Sequence, residues 1–391
     1  MKALFVHDHF YYTDNNGKTL SKGQYHHSVW DRYLNHFDEL TVIGRDGGFA
    51  SQGENGINIA SRDNVKFNLF HNTNSLKGLL SGRNELKQDI AKLVSDHDVI
   101  ILRGISELGA IAYTQSRKQE KLIALEMVSC AWDELWNHGS WLAKTYAPYR
   151  FLLAKKIAKN ANATLYVTQQ FLQKRYPTRA DIVAHASNVQ ITDDAFSQIK
   201  ISAKKHYKIG LIGTLKNKLK GVDVAIEAMR ILKNRDVTNA SLHILGPGDP
   251  KPYQDKINRL GLSSHVHLDG IRESGQGVWE WLRGLDLYIQ PSFQEGVPRA
   301  MLEAMAQGLP AIGSNAGGIP ELISDDMIIQ KGDANMLADK IETMLNDEQL
   351  RSTQSHQNYE TAQKYNDETL SKIRFEFWTN VKTMAVRHRT E

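Results

Sequence analysis

The clearest chemical signal in this sequence is a pair of glutamates, Glu295 and Glu303, with seven residues between them. An apolar run that ends at Pro291 precedes the pair, Pro298 lies within it, and Gly308 follows it. Proline is common in the first turn of a helix, and glycine is common just past a helix end. The pattern therefore predicts a buried strand, a turn that carries Glu295, and a helix that starts near Pro298 and carries Glu303.

The start of this predicted helix has the chemistry of a phosphate site. Its free backbone N–H groups lie at the carboxyl edge of a sheet, where they favour an anionic ligand. Two carboxylates beside a phosphate would repel that ligand unless they bind hydroxyl groups, and such charge-assisted hydrogen bonds are strong. Because helical side chains lean toward the helix N-terminus, Glu303 reaches back over this edge. We expect Glu295 to contact a sugar and Glu303 a ribose. The residues expected at the phosphate are Gly296, Val297, Pro298 and Arg299.

The elements that position these residues follow from short apolar runs that alternate with amphipathic stretches. Ten runs are predicted strands: residues 3–6, 40–43, 99–102, 122–125, 164–167, 208–212, 241–245, 265–268, 286–290 and 310–313. Strands separated by helices form parallel sheets of βαβ units. The sequence therefore predicts an α/β fold.

The series of strands occurs twice, and a polar stretch at residues 184–205 separates the two halves. A chain of 391 residues is long enough for two domains. We expect an N-terminal domain at 1–190 and a C-terminal domain at 205–365. Residues 366–391 are predicted to form a helix that crosses back to the N-terminal domain, because aromatic residues such as Trp378 recur in it at helical spacing.

The glutamate pair and its flanking residues resemble the donor-site motif of family 4 glycosyltransferases. Pro-Ser precedes the pair, and Glu-Ala-Met-Ala-Gln-Gly-Leu-Pro begins at Glu303. The resemblance implies a retaining transferase with two Rossmann-like domains that face a central cleft, the GT-B type of fold. It also implies a donor that is a nucleotide diphosphate sugar, linked to UDP or GDP, and no cofactor.

Two further segments resemble the donor site of this family. Residues 213–221, Gly-Thr-Leu-Lys-Asn-Lys-Leu-Lys-Gly, resemble its diphosphate-binding loop. The resemblance implies that this loop, beginning at Gly213, lies against the donor and that Lys220 holds the phosphates. Ile271 and Arg272 resemble the segment whose backbone contacts the base.

One position of this loop departs from the family pattern. The family commonly has an arginine as a second phosphate cation where this chain has Thr214. Lys216, Lys218 and Arg299 are the alternatives for that second cation, and Thr214 itself remains a predicted donor contact.

The N-terminal half resembles the family less closely. Gly23 is the candidate for the glycine loop that approaches the donor phosphate, and Gly17 is the alternative, since the usual glycine pair is absent. Many members place a histidine near the reacting sugar, after the strand that here ends at residue 125. Glu126 is the first candidate for that catalytic role beside Glu295, and His138 is the second. A hydrogen-bonded structural histidine explains His138 equally well.

Several tryptophans cluster in one short stretch of the N-terminal half. Aromatic faces with carboxylate and amide neighbours suit pyranose rings, so we expect Trp132, Asp133, Trp136 and Asn137 to bind the acceptor. A core cluster or a membrane-interface cluster is the alternative, because residues 142–158 combine cations with aromatic residues. This region resembles bacterial glycosyltransferases of the capsule and O-antigen type, which implies a glycan or lipid-linked glycan acceptor.

The net charge of +4 lies in the N-terminal half, where residues 1–190 hold 23 lysines and arginines against 18 aspartates and glutamates. This excess favours an anionic membrane surface or acceptor, although scattered surface lysines explain it equally well. The polar stretch at residues 13–22 is predicted to be a loop that serves the acceptor. No basic stripe is interleaved with aromatic residues, so we expect no nucleic-acid partner.

Cysteine usage and hydropathy indicate the compartment. The single cysteine, Cys130, excludes an internal disulfide and fits a reducing environment. No apolar run is long enough for a signal peptide or a membrane-spanning helix. We therefore expect a cytoplasmic protein, with peripheral contact at the inner face of the plasma membrane as a further possibility.

The expected reaction is transfer of a glycosyl group to a hydroxyl with retention of the anomeric configuration. No aspartate-rich metal motif occurs, and a cationic phosphate site makes a divalent metal unnecessary, so no metal is expected. Two alternatives remain open from the sequence. One is a nucleotide-sugar 2-epimerase of the same fold, and the other is a nucleotide-sugar-binding protein without activity.

Overall fold

The computed structural model describes residues 1–23, 25–51, 56–71, 76–137, 140–189 and 191–390. The chain divides into two compact units. The first contains Met1–Val167, Leu172–Ala186 and the chain from Lys372 onward, and the second contains Thr168–Phe171 and Ser187–Ser371. Each unit is built on a sheet with helical connections, so the predicted α/β class is confirmed.

The sheet of the first unit has nine strands, counted over the described ranges. They are β1 (Lys2–Thr13), β2 (Thr19–Lys22), β3 (Glu39–Phe49), β4 (Ile57–Ile59), β5 (Val65–Phe70), β6 (Val99–Arg103), β7 (Leu122–Met127), β8 (Ala163–Tyr166) and β9 (Ile182–His185). The order β5-β3-β1-β6-β7-β8-β9 is parallel throughout. Strands β6, β7 and β8 are buried along their whole length, as their nearly continuous apolar runs require.

The loop predicted at residues 13–22 is a β-hairpin instead. Residues 11–13 of β1 pair antiparallel with β2 on one side, while the parallel pairing with β3 on the other side also reaches Thr13. Strand β2 in turn pairs antiparallel with β4. The Asp14 carboxylate closes the turn by accepting hydrogen bonds from the backbone N–H groups of Asn16 and Lys18. The prediction was wrong because β2 has only four residues, too few to show a hydrophobic period.

Helices and one 3₁₀ segment connect the strands of the first unit. The 3₁₀ segment is His27–Trp30. The helices are α1 (Asp31–Leu34), α2 (Leu76–Ser95), α3 (Glu107–Lys118), α4 (Ala131–Trp136), α5 (Trp141–Asn160) and α6 (Phe171–Arg175). No helix in the described part of the chain has the length and hydrophobicity that crossing a membrane requires.

The second unit contains a six-stranded sheet, again counted over described residues, in the order β12-β11-β10-β13-β14-β15. Its strands are β10 (Tyr207–Ile212), β11 (Ala240–Leu245), β12 (Val266–Gly270), β13 (Leu287–Gln290), β14 (Ala311–Ser314) and β15 (Ile328–Ile329). Every pairing in this sheet is parallel. All ten strands predicted from the sequence are present in the two sheets.

The remaining helices follow these strands. They are α7 (Val222–Asn234), α8 (Lys251–Arg259), α9 (Gln276–Arg283), α10 (Arg299–Ala306), α11 (Ala334–Asn346), α12 (Glu348–Gln363) and α13 (Asp367–Thr390). Most of α13 belongs to the first unit. There Trp378 is fully buried, with its ring 5.2 Å from that of Tyr33 and 6.2 Å from that of Phe37. The aromatic residues spaced along this helix therefore cover part of the first unit's core.

Candidate active site

The strand order of the second sheet creates a binding position at one edge. Strands β10 and β13 are neighbours, yet the chain continues from β10 toward β11 and from β13 toward β14, on opposite sides. Such a switch point leaves a crevice at the carboxyl ends of the two strands. A cavity of about 350 Å³ lies there. It brings together six of the predicted donor-site residues: Gly213, Thr214, Lys220, Pro298, Arg299 and Glu303.

An ion pair joins the loops that follow β10 and β13. Lys220 Nζ lies 2.7 Å and 2.9 Å from the two carboxylate oxygens of Glu295. The Glu295 carboxylate also accepts hydrogen bonds from Ser292 Oγ at 2.7 Å and from Gln290 Nε2 at 3.2 Å. The predicted phosphate cation and the predicted sugar-binding carboxylate are therefore bonded to each other.

Glycines allow the two loops to approach this closely. A Cβ atom on Gly213 would lie 2.7 Å from Cβ of Lys220, so the lysine stem occupies the space that a side chain would need. Gly221 has φ of 72°, and a Cβ there would lie 2.0 Å from the carbonyl oxygen of Pro291. The backbone N–H of Phe293 donates to the carbonyl of Leu219 at 2.8 Å. Backbone contacts therefore fix the distance across which the ion pair forms.

Gln290 is a site residue that the sequence reasoning missed. It is 1% exposed at the end of β13 and lines the cavity. Its Oε1 accepts a hydrogen bond from the Tyr288 hydroxyl at 2.6 Å, while its Nε2 donates to Ser292 and Glu295. From its position at the end of β13, Gln290 therefore holds the Glu295 carboxylate in place. An amide that ends an otherwise apolar strand, immediately before Pro291, was the available signal.

Glu303 projects from α10 into the same cavity and is 7% exposed. Burial raises the pKa of its carboxyl, and the charge and hydrogen bond of Arg299 oppose that shift, with the Trp279 indole adding to the opposition. Arg299 Nε donates to Glu303 Oε1 at 3.0 Å, across one helical turn. Pro298 is the N-cap of α10 rather than its first helical residue. The helix ends as predicted, with Gln307 at the C-cap and Gly308 at φ of 73°.

A pair of glycines holds the turn that carries Glu295. A Cβ on Gly317 would lie 1.9 Å from the Glu295 carbonyl oxygen, so this approach excludes any side chain. The Gly318 N–H donates to the Gly296 carbonyl at 2.7 Å, and Val297 next to it is half-buried. The predicted phosphate-binding turn is therefore fixed by contacts with the loop that follows β14.

Thr214 differs from the family arginine because its hydroxyl carries no positive charge for a phosphate. Its hydroxyl donates to the Pro247 carbonyl at 3.1 Å and accepts from the Lys216 N–H at 3.2 Å. Among the three alternative cations, Arg299 lines the cavity, whereas Lys216 and Lys218 are exposed and do not line it. The position of Arg299 makes it the better candidate for a second phosphate cation.

The predicted base-contacting segment lies just past β12. Ile271 is 66% exposed, and the neighbouring Arg272 is also exposed. Neither lines the cavity, whereas Ser274 and Val278, which follow them, do. The backbone contact with a base stays a prediction.

In the first unit, Glu126 belongs to a buried network. It lies within β7 rather than after it and is 1% exposed. One carboxylate oxygen is paired with Arg103 and the other accepts a hydrogen bond from the Tyr33 hydroxyl at 3.0 Å. Burial alone would raise the pKa of Glu126, but the charges of Arg103 and Arg32, together with the hydrogen bonds from Arg103 and Tyr33, lower it below its ordinary value. Arg103 Nε also donates to the Tyr25 hydroxyl at 2.9 Å.

This arrangement changes the interpretation of Glu126. Both of its oxygens are already bonded to protein groups, so the carboxylate holds Arg103 in position instead of facing a ligand. Sequence reasoning missed Arg103, although a charged residue at the end of the apolar run of β6 was a visible signal. The second catalytic candidate, His138, lies outside the described residues.

Gly23 directly follows β2, at φ of 87°. Its N–H donates to the Gly56 carbonyl at 3.3 Å. A positive φ favours glycine at this position, and its predicted approach to a donor phosphate remains a prediction. Gly17 lies in the β1–β2 turn at φ of 73°, so a turn conformation explains it.

The predicted acceptor residues lie on or next to α4. The rings of Trp132 and Trp136 stack with centroids 5.1 Å apart, and Trp136 is 45% exposed. Asp133 lies 3.5 Å from Arg175, and Asn137 is the C-cap of the helix. The stack presents an aromatic face to solvent beside polar side chains, which suits a sugar ring.

Replacing Glu303 with alanine tests its predicted role. A ribose-binding carboxylate contributes charge-assisted hydrogen bonds, so the Glu303→Ala variant should bind UDP or GDP about tenfold or more weakly by calorimetry. Because its pKa is raised and only the carboxylate accepts both hydroxyls, wild-type affinity should fall as the pH drops through this pKa, above the range of an ordinary glutamate. The Glu376→Ala variant, at an exposed position of α13, is the matched control. Unchanged nucleotide affinity in Glu303→Ala would remove the role.

Comparison with known proteins identifies the family of this chain. Residues 192–361 match the family described as Glycosyl transferases group 1. The chain is 31% identical to Protein CapJ of Staphylococcus aureus over 372 residues, which are 95% of this chain and 93% of that protein. It is 25% identical over 180 residues to the Capsular polysaccharide biosynthesis glycosyltransferase CapM of the same organism, covering 44% of this chain and 47% of CapM.

Solved structures agree on the fold. The structure of Anabaena Alr3699/HepE in complex with UDP superposes with a TM-score of 0.65 at 18% identity, covering 95% of this chain and 98% of that one. A likeness at this identity establishes the two-domain α/β fold. The family match over residues 192–361 and the relative that matches nearly the whole chain lead to one conclusion: this chain belongs to the group 1 glycosyltransferases.

Proposed function

We propose that this glycosyltransferase is a retaining enzyme that moves a sugar from a UDP- or GDP-linked donor to a hydroxyl of a glycan or lipid-linked glycan. We further propose that it acts in the synthesis of a bacterial surface polysaccharide, as the name of CapM states for that relative. HepE, which shares the fold, has been crystallised with UDP and with UDP-glucose. The observation that carries the proposal is the cavity where Lys220 and Arg299 lie beside Glu303, with Glu295 bonded to Lys220.

The ion pair suggests how the donor enters. The diphosphate takes Lys220 away from Glu295, which frees the Glu295 carboxylate to accept hydrogen bonds from sugar hydroxyls. Glu303 accepts hydrogen bonds from the ribose, and Gly296, Val297 and Pro298 lead the chain to the N-terminus of α10, beside the phosphates. Each carboxylate therefore faces hydroxyls and each cation faces phosphate, which removes the repulsion that two carboxylates would otherwise cause.

The same groups act on the transition state. Negative charge grows on the leaving diphosphate as the glycosidic bond breaks, and Lys220, Arg299 and the N-terminus of α10 stabilise it. The family resemblance implies that the acceptor hydroxyl attacks from the leaving-group face and passes its proton to the phosphate. Glu295 is therefore assigned to the sugar hydroxyls and not to a covalent intermediate. These protein cations supply the charge that a divalent metal would otherwise supply.

One assay tests the reaction and separates it from its alternatives. The purified protein, given UDP- and GDP-sugars with a glycan acceptor, should form a product whose anomeric configuration by NMR matches the donor. Excess chelator should leave the initial rate nearly unchanged, because Lys220 and Arg299 provide the positive charge. An inverted product, or a complete loss of rate that manganese restores, would contradict the proposal. An epimerase would convert donor without an acceptor, and a binding protein would release no nucleotide.

The acceptor is proposed to lie on the first unit, at Trp132, Asp133, Trp136 and Asn137. The donor residues that the family motif matches are in the second unit, which leaves the first unit to supply whatever distinguishes this acceptor. The Trp136 ring is 45% exposed and stacked on Trp132, which is the arrangement that a pyranose ring needs.

Trp136→Ala should raise the acceptor KM about tenfold, the order expected for loss of one aromatic stacking contact with its buried area. Slow hydrolysis of the donor and nucleotide affinity should stay near wild type. Phe49→Ala, which truncates another exposed aromatic of the first unit, is the control, and the melting temperature is measured for both. An equal loss of donor hydrolysis and transfer would show that the residue does not serve the acceptor.

A further inference from the structure

Helix α5 exposes most of its large apolar side chains. Its buried side chains are few, and three of the four are alanines: Ala147, Ala154, Ile157 and Ala158. Its large apolar side chains face solvent instead. Those exposed by about half or more are Trp141 at 71%, Leu142 at 61%, Tyr146 at 48%, Tyr149 at 56% and Leu152 at 64%. Exposed aromatic and leucine side chains that form a continuous face mark an interaction surface.

The charge of α5 is all of one sign. The helix carries Lys144, Arg150, Lys155, Lys156 and Lys159 and contains no aspartate or glutamate. Within the described residues, none of these five cations forms an ion pair. Lys144 Nζ instead lies 5.6 Å from the ring centroid of Trp136, and Lys155 Nζ lies 4.6 Å from that of Phe151. The apolar face is therefore bordered by cations whose charge is not neutralised.

A groove beside α5 extends the positive charge. A cavity of about 250 Å³ lies next to Tyr146 and Tyr149 and is lined by Lys87, Lys118 and Arg150. Among the described residues that line it, Glu107 is the one acidic residue, and it is paired with Arg45 at 2.9 Å. The Arg150 Nε is buried without a hydrogen-bond partner. The groove therefore offers cationic groups for an anion such as a phosphate.

We propose that α5 and this groove dock the protein on an anionic phospholipid surface. Tyrosine and tryptophan rings sit at the level of lipid headgroups, with lysines around them attracted to anionic lipids. Helix α5 lacks the hydrophobicity that crossing a membrane requires, so its exposed aromatic and leucine side chains would engage only the interface. At twenty residues α5 is about 30 Å long, enough for its whole face to engage.

Other occupants fit these observations less well. A second copy in an isologous dimer would bring five cations against five, which is repulsive. The exposed side chains of Leu142 and Leu152 offer no hydrogen-bonding groups for the hydroxyls of a glycan. A planar anionic surface satisfies both the cations and the apolar side chains. This docking goes beyond the proposed reaction, because it involves neither the donor nor the acceptor.

Sedimentation with lipid vesicles tests the proposal, without donor or acceptor present. The full chain should bind vesicles of phosphatidylcholine mixed with phosphatidylglycerol, bind pure phosphatidylcholine vesicles far more weakly, and dissociate as salt is added. The Lys155→Glu/Lys156→Glu variant and the Trp141→Ser/Leu152→Ser variant should each lose about tenfold or more in binding. All four residues are exposed, so circular dichroism should remain that of the wild type.

Matched controls separate the surface from its overall charge and apolarity. Lys251→Glu/Lys372→Glu makes the same charge change on α8 and α13, and Phe49→Ser/Val386→Ser removes two exposed apolar side chains elsewhere. Both should bind as the wild type does. Equal binding to the two kinds of vesicle, no binding, or equal losses in the controls would overturn the proposal. Self-association that the α5 variants abolish, without vesicle binding, would assign the face to a second copy and overturn it too.

Discussion

The proposed donor site of the second unit depends on one ion pair, between Lys220 and Glu295. Lys220 lies in the loop after β10, and Glu295 lies in the loop after β13. Because β10 and β13 are neighbours in the sheet, the strand order brings the two side chains together. Glycines at 213 and 221 remove the side chains that would hold the loops apart. The Glu295 side chain is 7% exposed, so removal of Lys220 would leave its carboxylate as a buried charge without a counter-ion, which is costly.

Within the pair, the positive charge of Lys220 neutralises the negative charge of Glu295. In the proposed reaction, a diphosphate would offer Lys220 more negative charge than one carboxylate does, and sugar hydroxyls would replace the lysine as hydrogen-bond donors to Glu295. The buried pair of Arg103 and Glu126 in the first unit has a different character. Tyr25 and Tyr33 complete its hydrogen bonds, so that it forms a closed, structural network. The two ion pairs differ in their access to a cavity. Lys220 lines one, whereas Arg103 and Glu126 are both buried. We infer that this access, more than the ion pair itself, allows a residue to exchange its protein partner for a ligand.

Much of this could be predicted from the sequence, because the relevant signals are local. Buried parallel strands appear as continuous apolar runs, and proline and glycine mark the ends of α10, so Glu295 and Glu303 were placed on the correct elements. The hairpin of β1 and β2 was missed because β2 has only four residues, and because β4, its other pairing partner, is short and lies farther along the chain. Gln290, Arg103 and the true surroundings of Glu126 were missed for a related reason. A buried polar side chain is defined by its tertiary partners, which no local period records.

The most direct test of this account is calorimetry with UDP and UDP-glucose on the Lys220→Ala and Glu295→Ala variants. If the lysine binds the diphosphate and the glutamate binds the sugar, Lys220→Ala weakens both ligands. Glu295→Ala then binds UDP at least as tightly as the wild type, since the lysine is freed, and loses affinity for UDP-glucose relative to UDP. A UDP affinity that falls equally in both variants would contradict the division of roles between the two residues.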